Sequence, residues 1–220
     1  MNLTNTIQQI AIMAVPGVLA ITLHESAHGY VAYRQGDPTA RDLGRLTINP
    51  LKHLDLLGTL MVPISYFLSG GHAAIGWPKP VPINPNYFEN PRRGMLWVAL
   101  AGPGCNFSLA FLSSLLFHFL AFIYPMAPQF LAAGLIRPVA EMCQISVVIN
   151  ISLAIFNLIP LPPLDGGRII TGILPYELAR AYSKIEPLGL VIIVGLGMFT
   201  NVIGNTIFPL VDFLSTLLLR

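Results

Sequence analysis

Five consecutive residues, His24-Glu25-Ser26-Ala27-His28, carry the sharpest chemical signal in the chain. On a helix, positions four apart share one face, a turn apart. Two imidazoles so placed can converge on one ion at roughly 2.0–2.1 Å. Glu25 is offset from that face and can reach an attacking water rather than the metal, which is the arrangement of a metalloprotease. The five-residue pattern is short enough to recur by chance, and its location is what gives it weight. It lies in the C-terminal part of the apolar run 7–33. A charged residue near mid-membrane costs about 2.5–3.5 kcal/mol. Three ionisable groups within five residues at that depth need a reason. Zinc is one, since structural zinc binding contributes on the order of 10 kcal/mol. A polar cluster hydrogen-bonded to neighbouring helices is the other.

Two imidazoles leave a zinc site incomplete, because catalytic zinc usually has three protein ligands and an open position. His53, His72, His118 and a few carboxylates remain as candidates. His118 lies deep in a later apolar run, and His53 and His72 flank a short apolar segment. Asp165 is the better choice. It sits in Asn157-Leu158-Ile159-Pro160-Leu161-Pro162-Pro163-Leu164-Asp165-Gly166-Gly167-Arg168, where a spanning run ends. Prolines stop the helix, and Gly166 and Gly167 permit unusual backbone angles. Such a break can aim a carboxylate back into the protein, and irregular backbone is tolerated at membrane depth when it is buried or lines a wet cavity. An ordinary helix end with a loop aspartate is the alternative. Arg168 reads as an interfacial anchor or a partner for Asp165.

The elements that must position these residues are apolar. The chain has 220 residues, 54% of them hydrophobic and 10% charged, and its mean hydropathy is +0.68. Soluble domains carry about 25% charged residues, so lipid must solvate much of this surface. A dispersed net charge of +2 does not suit nucleic acid. Cys105 and Cys143 lie in apolar runs and read as small buried hydrophobes. Runs long enough to span cover 7–33, 94–124, 138–160 and 187–219. The last is broken by Gly195, Gly197, Gly204 and Pro209 and reads as one tilted helix or two shorter ones. Residues 56–69, with a central proline, are short for a span and fit a re-entrant or interfacial segment. The expected fold is therefore an all-α polytopic membrane protein. It is a bundle of about 4–6 transmembrane helices with a re-entrant or extended cytoplasmic-side segment, and 1–220 reads as one transmembrane domain. If 56–69 does not span, then Arg34, Arg41, Arg45, Lys52, Lys79, Arg92, Arg93, Arg168, Arg180 and Lys184 share one side, leaving Arg137 opposite. The positive-inside rule makes that side cytoplasmic.

H-E-x-x-H on a membrane helix, followed by N-x-x-P-x-P-x-x-D-G-G, resembles the site-2 protease family of intramembrane zinc proteases. Ala101-Gly102-Pro103 is similar to that family's core, and the resemblance covers roughly 7–185. It is closest in type to the short prokaryotic branch without a PDZ-like domain. The resemblance implies one zinc per chain on His24, His28 and Asp165, Glu25 as general base, and Asn157 in contact with substrate or the developing oxyanion. Asn150 could share that role or bond between helices. It also implies transmembrane protein substrates, a lipid bilayer as surroundings, and a multi-pass place in a prokaryotic cell membrane. Two other functions fit the motifs: a membrane zinc-binding protein without proteolysis, whether carrier or inactive homologue, and a zinc hydrolase acting on lipid. A carrier does not need a glutamate beside its ligands.

One further segment invites a role. In Trp77-Pro78-Lys79-Pro80-Val81-Pro82-Ile83, alternate prolines strip one edge of N–H donors while the other edge keeps them. Such a strand pairs on one side only, either with an unwound substrate or with the enzyme itself. A polyproline-type linker is the third option.

Overall fold

The computed structural model describes residues 3–58, 60–61, 78–199 and 202–220. Helix α1 runs Leu3–Arg34. Its end is a Schellman turn: Gly36, at φ 102°, donates to the Tyr33 carbonyl while Asp37 N–H reaches back to Ala32 at 3.1 Å. The short α2, Thr39–Asp42, follows. Helix α3, Pro91–Ile123, starts at Asn90, whose side chain accepts from Arg93 N–H, with Pro91 in the first turn. A π-helical turn, Ala132–Ile136, leads into α4, Arg137–Asn157. Beyond the proline-rich turn come α5 (Asp165–Ile173), α6 (Tyr176–Ser183), α7 (Glu186–Phe199) and α8 (Val202–Leu219). The described parts of the run 187–219 are helical, and residues 200–201 between them lie outside the described residues.

The described residues are mostly helical, with no strand among them. Two helical stretches there, Pro91–Met126 and Gln129–Asn157, are long and apolar enough to cross a membrane. Most of 56–69, as well as His72 and Trp77, lies outside the described residues, so the expected re-entrant segment does too.

Helix α3 is the hub. It packs along α4 and also against α1 and α5. Ala110, Val147, Ile151 and Val211 join α3, α4 and α8 in one apolar cluster. Ala32, Phe88 and Val98 tie α1 to the 84–88 turn and to α3. The opposite face of α3 is bare. Phe111, Leu115, Phe119 and Phe122 follow at helical spacing, and each is more than half exposed. Water would penalise so long an apolar row, and lipid does not.

Candidate metal centre

Three elements meet at one point. α1 supplies His24 and His28, α3 crosses them at Gly102, and α5 brings Asp165 in its first turn. The Nε2 atoms of His24 and His28 are 3.0 Å apart. Asp165 Oδ2 lies 3.2 Å from the first and 3.3 Å from the second. All three side chains are buried.

Each imidazole is held from behind. His24 Nδ1 meets Asn106 Oδ1 at 2.5 Å, and His28 Nδ1 meets the Val98 carbonyl at 2.6 Å. A carbonyl oxygen only accepts, so both rings carry a proton on Nδ1, and in its neutral form each turns an Nε2 lone pair towards Asp165. Two lone pairs and a carboxylate oxygen at 3.0–3.3 Å repel one another. Asp165 Oδ2 correspondingly has no hydrogen-bond donor and is fully enclosed. The cluster has the donor set of a cation site. Ligands about 2.0–2.1 Å from a tetrahedral zinc stand roughly 3.3 Å from each other, so the spacing and the donor set both fit zinc.

The backbone around the cluster has no spare room. A Cβ at Gly102 would stand 2.5 Å from His24 Cε1 and from His28 Nε2. Gly166 and Gly167 serve the same end, which corrects the sequence-based expectation for them. They sit within α5, and positive φ occurs only at Gly36 and Gly44 among the described residues. What they permit is close approach: a Cβ would fall 2.3 Å from the Ile159 carbonyl oxygen at Gly166 and 2.2 Å from Pro162 N at Gly167. Arg92 fixes the far end of α5 by donating to the carbonyls of Gly172 and Leu174. Tyr182 Oη donates to the Pro160 carbonyl at 2.7 Å and pins the preceding turn. Burial pushes its phenol up, so it stays a neutral donor.

Glu25 is buried beside the cluster, and its Oε2 accepts the Val81 N–H at 3.0 Å. The extended 78–84 segment therefore runs past the base with its donor edge turned inwards. Lys79 N–H goes to the His53 carbonyl at 2.9 Å, and Leu54 and Pro78 form an antiparallel bridge. Asn84 N–H goes to the buried Asp37 at 2.7 Å. The buried Arg45 holds the carbonyls of Lys79 and Pro80 at 2.7 and 3.3 Å. Of the pairings that alternate prolines allow, the structure adopts the one with the enzyme itself.

The other sequence candidates make different contacts. Asn157 donates to the Leu153 carbonyl of its own helix at 2.9 Å. Asn150 bonds Asn106. His53 is buried, with Nε2 on the Thr47 carbonyl at 3.0 Å and Ser26 Oγ at 3.3 Å. His118 donates to the Leu218 carbonyl at 3.0 Å. Neither histidine joins the cluster. Sequence reasoning missed Asn106 and Val98; it placed the Val81 N–H on the donor edge of its segment but not against Glu25. Asn106, four residues after Gly102 on the helix that crosses the histidines, offered the only side-chain signal.

A buried His-His-Asp cluster fitted to zinc, set among mostly helical described residues that include two helices apolar enough to cross a membrane, defines a candidate metalloprotein. Comparison with known proteins narrows this. Residues 128–200 match the model of peptidase family M50. A Bacillus subtilis protein named "Putative zinc metalloprotease YwhC" is 37% identical over 188 residues, covering 86% of this chain and 80% of that protein. Rip2 of Mycolicibacterium smegmatis, with the same description, is 29% identical over 203 residues, or 92% of this chain and 72% of that one. No solved structure matches. The chain belongs to peptidase family M50, the site-2 protease family. It is a zinc metalloprotease.

Proposed function

We propose that this chain is an intramembrane endopeptidase. It hydrolyses peptide bonds of transmembrane or membrane-proximal proteins, with one zinc on His24, His28 and Asp165, Glu25 as general base and Asn157 at the oxyanion. The observation that carries the reading is the convergence of two Nε2 lone pairs and Asp165 Oδ2 within 3.3 Å, next to a buried glutamate. Bound zinc supplies a Lewis acid that acidifies water and polarises a carbonyl.

The protein's own groups do the rest. Asn106 and the Val98 carbonyl orient the two imidazoles. Glu25 takes a proton from the attacking water as the new C–O bond forms, and delivers one to the leaving amine as the C–N bond breaks. A carboxylate accepts several hydrogen bonds, so Glu25 can keep the Val81 N–H on Oε2 while Oε1 meets that water, and the 78–84 segment holds the base in place. Asn157 turns its amide from Leu153 to the developing oxyanion. The relatives in Bacillus and Mycolicibacterium support a multi-pass enzyme of a prokaryotic cell membrane, with 1–220 as one transmembrane domain.

The test is Glu25→Gln in purified, detergent-solubilised protein, with zinc quantified and transmembrane peptide products sized by mass spectrometry. Zinc should remain near one per chain while cleavage falls roughly 10²–10⁴-fold. Cleavage at the wild-type rate would reject the mechanism. Intact zinc binding with no cleavage of any peptide by the wild type would favour a binding protein or a lipid hydrolase instead.

A further inference from the structure

Behind the His24 ring, polar side chains run in single file across α1, α3 and α4. Asn106 is fully buried. Its Oδ1 faces His24 Nδ1, and its Nδ2 donates to Asn150 Oδ1 at 2.7 Å and towards the Ala20 carbonyl at 3.4 Å. Asn150, also buried, donates from Nδ2 to the Ser146 carbonyl at 2.9 Å and to Ser146 Oγ at 3.2 Å. Ser146 Oγ meets Ser113 Oγ at 2.8 Å.

The polarity of this chain is set from its far end. The Ser146 carbonyl only accepts, so Asn150 must present its NH₂ there and its oxygen to Asn106. Asn106 must then meet Asn150 with its own NH₂, and the Ala20 carbonyl makes the same demand. That leaves Asn106 only its oxygen for His24. An amide turned by 180° keeps its shape but reverses its chemistry. An NH₂ against Nδ1 would drive the ring proton to Nε2, where it would point at Asp165 and exclude a cation. His28 needs no such relay, because the α3 backbone sets the direction of the Val98 carbonyl.

We propose that Asn106 is a positioning residue. It fixes the tautomer and ring angle of His24, and Asn150 sets the orientation of Asn106. This rests on the reading of His24 as a zinc ligand. A partner behind a metal-bound histidine typically changes metal affinity 10–100-fold when removed.

The experiment uses the full chain in detergent. It reads the zinc dissociation constant by competition with a chromophoric chelator, and the visible spectrum of the cobalt(II)-loaded protein. Asn106→Leu keeps the volume and removes the acceptor. Zinc should bind about 10–100-fold more weakly, with a shifted cobalt band. Asn106→Asp offers His24 an oxygen whether ionised or protonated, and should stay within about threefold of the wild type, since the acceptor is what matters. Wild-type affinity in Asn106→Leu would overturn the proposal. So would an Asn106→Asp loss as large as that of Asn106→Leu, or failure of both variants to remain folded, because either result assigns the residue to packing. His24→Ala is run in parallel. If it binds zinc like the wild type, the zinc assignment fails, which is a separate outcome from failure of the Asn106 pair.

Discussion

Gly102→Ala adds one methyl group to a helix, and the structure predicts that it will act on the metal. The new Cβ would stand 2.5 Å from His24 Cε1 and His28 Nε2, and 2.6 Å from His24 Nε2. Carbon contacts are comfortable at about 3.5–4.0 Å, so the rings must retreat by roughly 1 Å. They cannot do so freely, because Asn106 and the Val98 carbonyl hold each ring by Nδ1. Overpacking of this kind costs about 1–3 kcal/mol. If the cost falls on the metal-bound geometry, zinc affinity drops roughly 5- to 150-fold, at about 1.4 kcal/mol per tenfold. Gly104→Ala is the matched control: it lies two residues further along α3, and a Cβ there meets nothing within 4 Å. Both substitutions change helix propensity alike, by about 1 kcal/mol in favour of alanine. Chelator competition on the two variants and the wild type isolates the steric effect. Equal zinc affinity in Gly102→Ala and Gly104→Ala would refute the account of Gly102 as the floor of the site.

Two further predictions concern topology and substrate. In a background lacking Cys105 and Cys143, single cysteines at positions 43, 80 and 170 should all be labelled from the cytoplasmic side and one near 128 from the other; labelling of 43 and 80 from opposite faces would show that 56–69 spans. In a series of transmembrane peptides, Gly, Pro or Asn near the scissile bond should speed cleavage about fivefold or more over Leu, with little change in binding, since Gly and Pro weaken a helix by about 1 and 3 kcal/mol; equal rates would reject unwinding as a limiting step.

How far the sequence disclosed this site depended on how local each signal was. His24, Glu25 and His28 announce themselves because a metal pair on a helix needs a fixed spacing of four. Asp165 was visible because prolines and glycines mark a broken helix end. The reason for its glycines was not visible: a sequence shows that a residue lacks a side chain but not what backbone lies against it. Asn106 looks like any polar residue in a long apolar helix until α1 is laid across it. Val98 contributes a main-chain carbonyl, which every residue has, so no residue type could point to it. The alternate prolines from 78 to 82 revealed that one edge of that segment keeps its donors, yet whether substrate or enzyme takes them depends on Glu25 and His53, which lie far away in sequence. The long apolar runs located the helices well, because twenty consecutive apolar residues have few other uses.

The separation of the cluster's parts along the chain has a consequence for how the protein is made. His28 and Asp165 stand 137 positions apart, on α1 and α5. During synthesis the histidine pair enters the membrane long before the aspartate exists. Until the helix hub and the proline turn are in place, the nascent chain offers an ion only two imidazoles, and Glu25 has no complete centre beside it. Once Asp165 is in place, an ion held by it and the histidine pair would tie α5 to α1 across a loop of well over a hundred residues, and the closure cost of such a loop grows only slowly with its length. The complete donor set therefore exists only once α5 has packed against α3 and brought Asp165 to the histidines of α1.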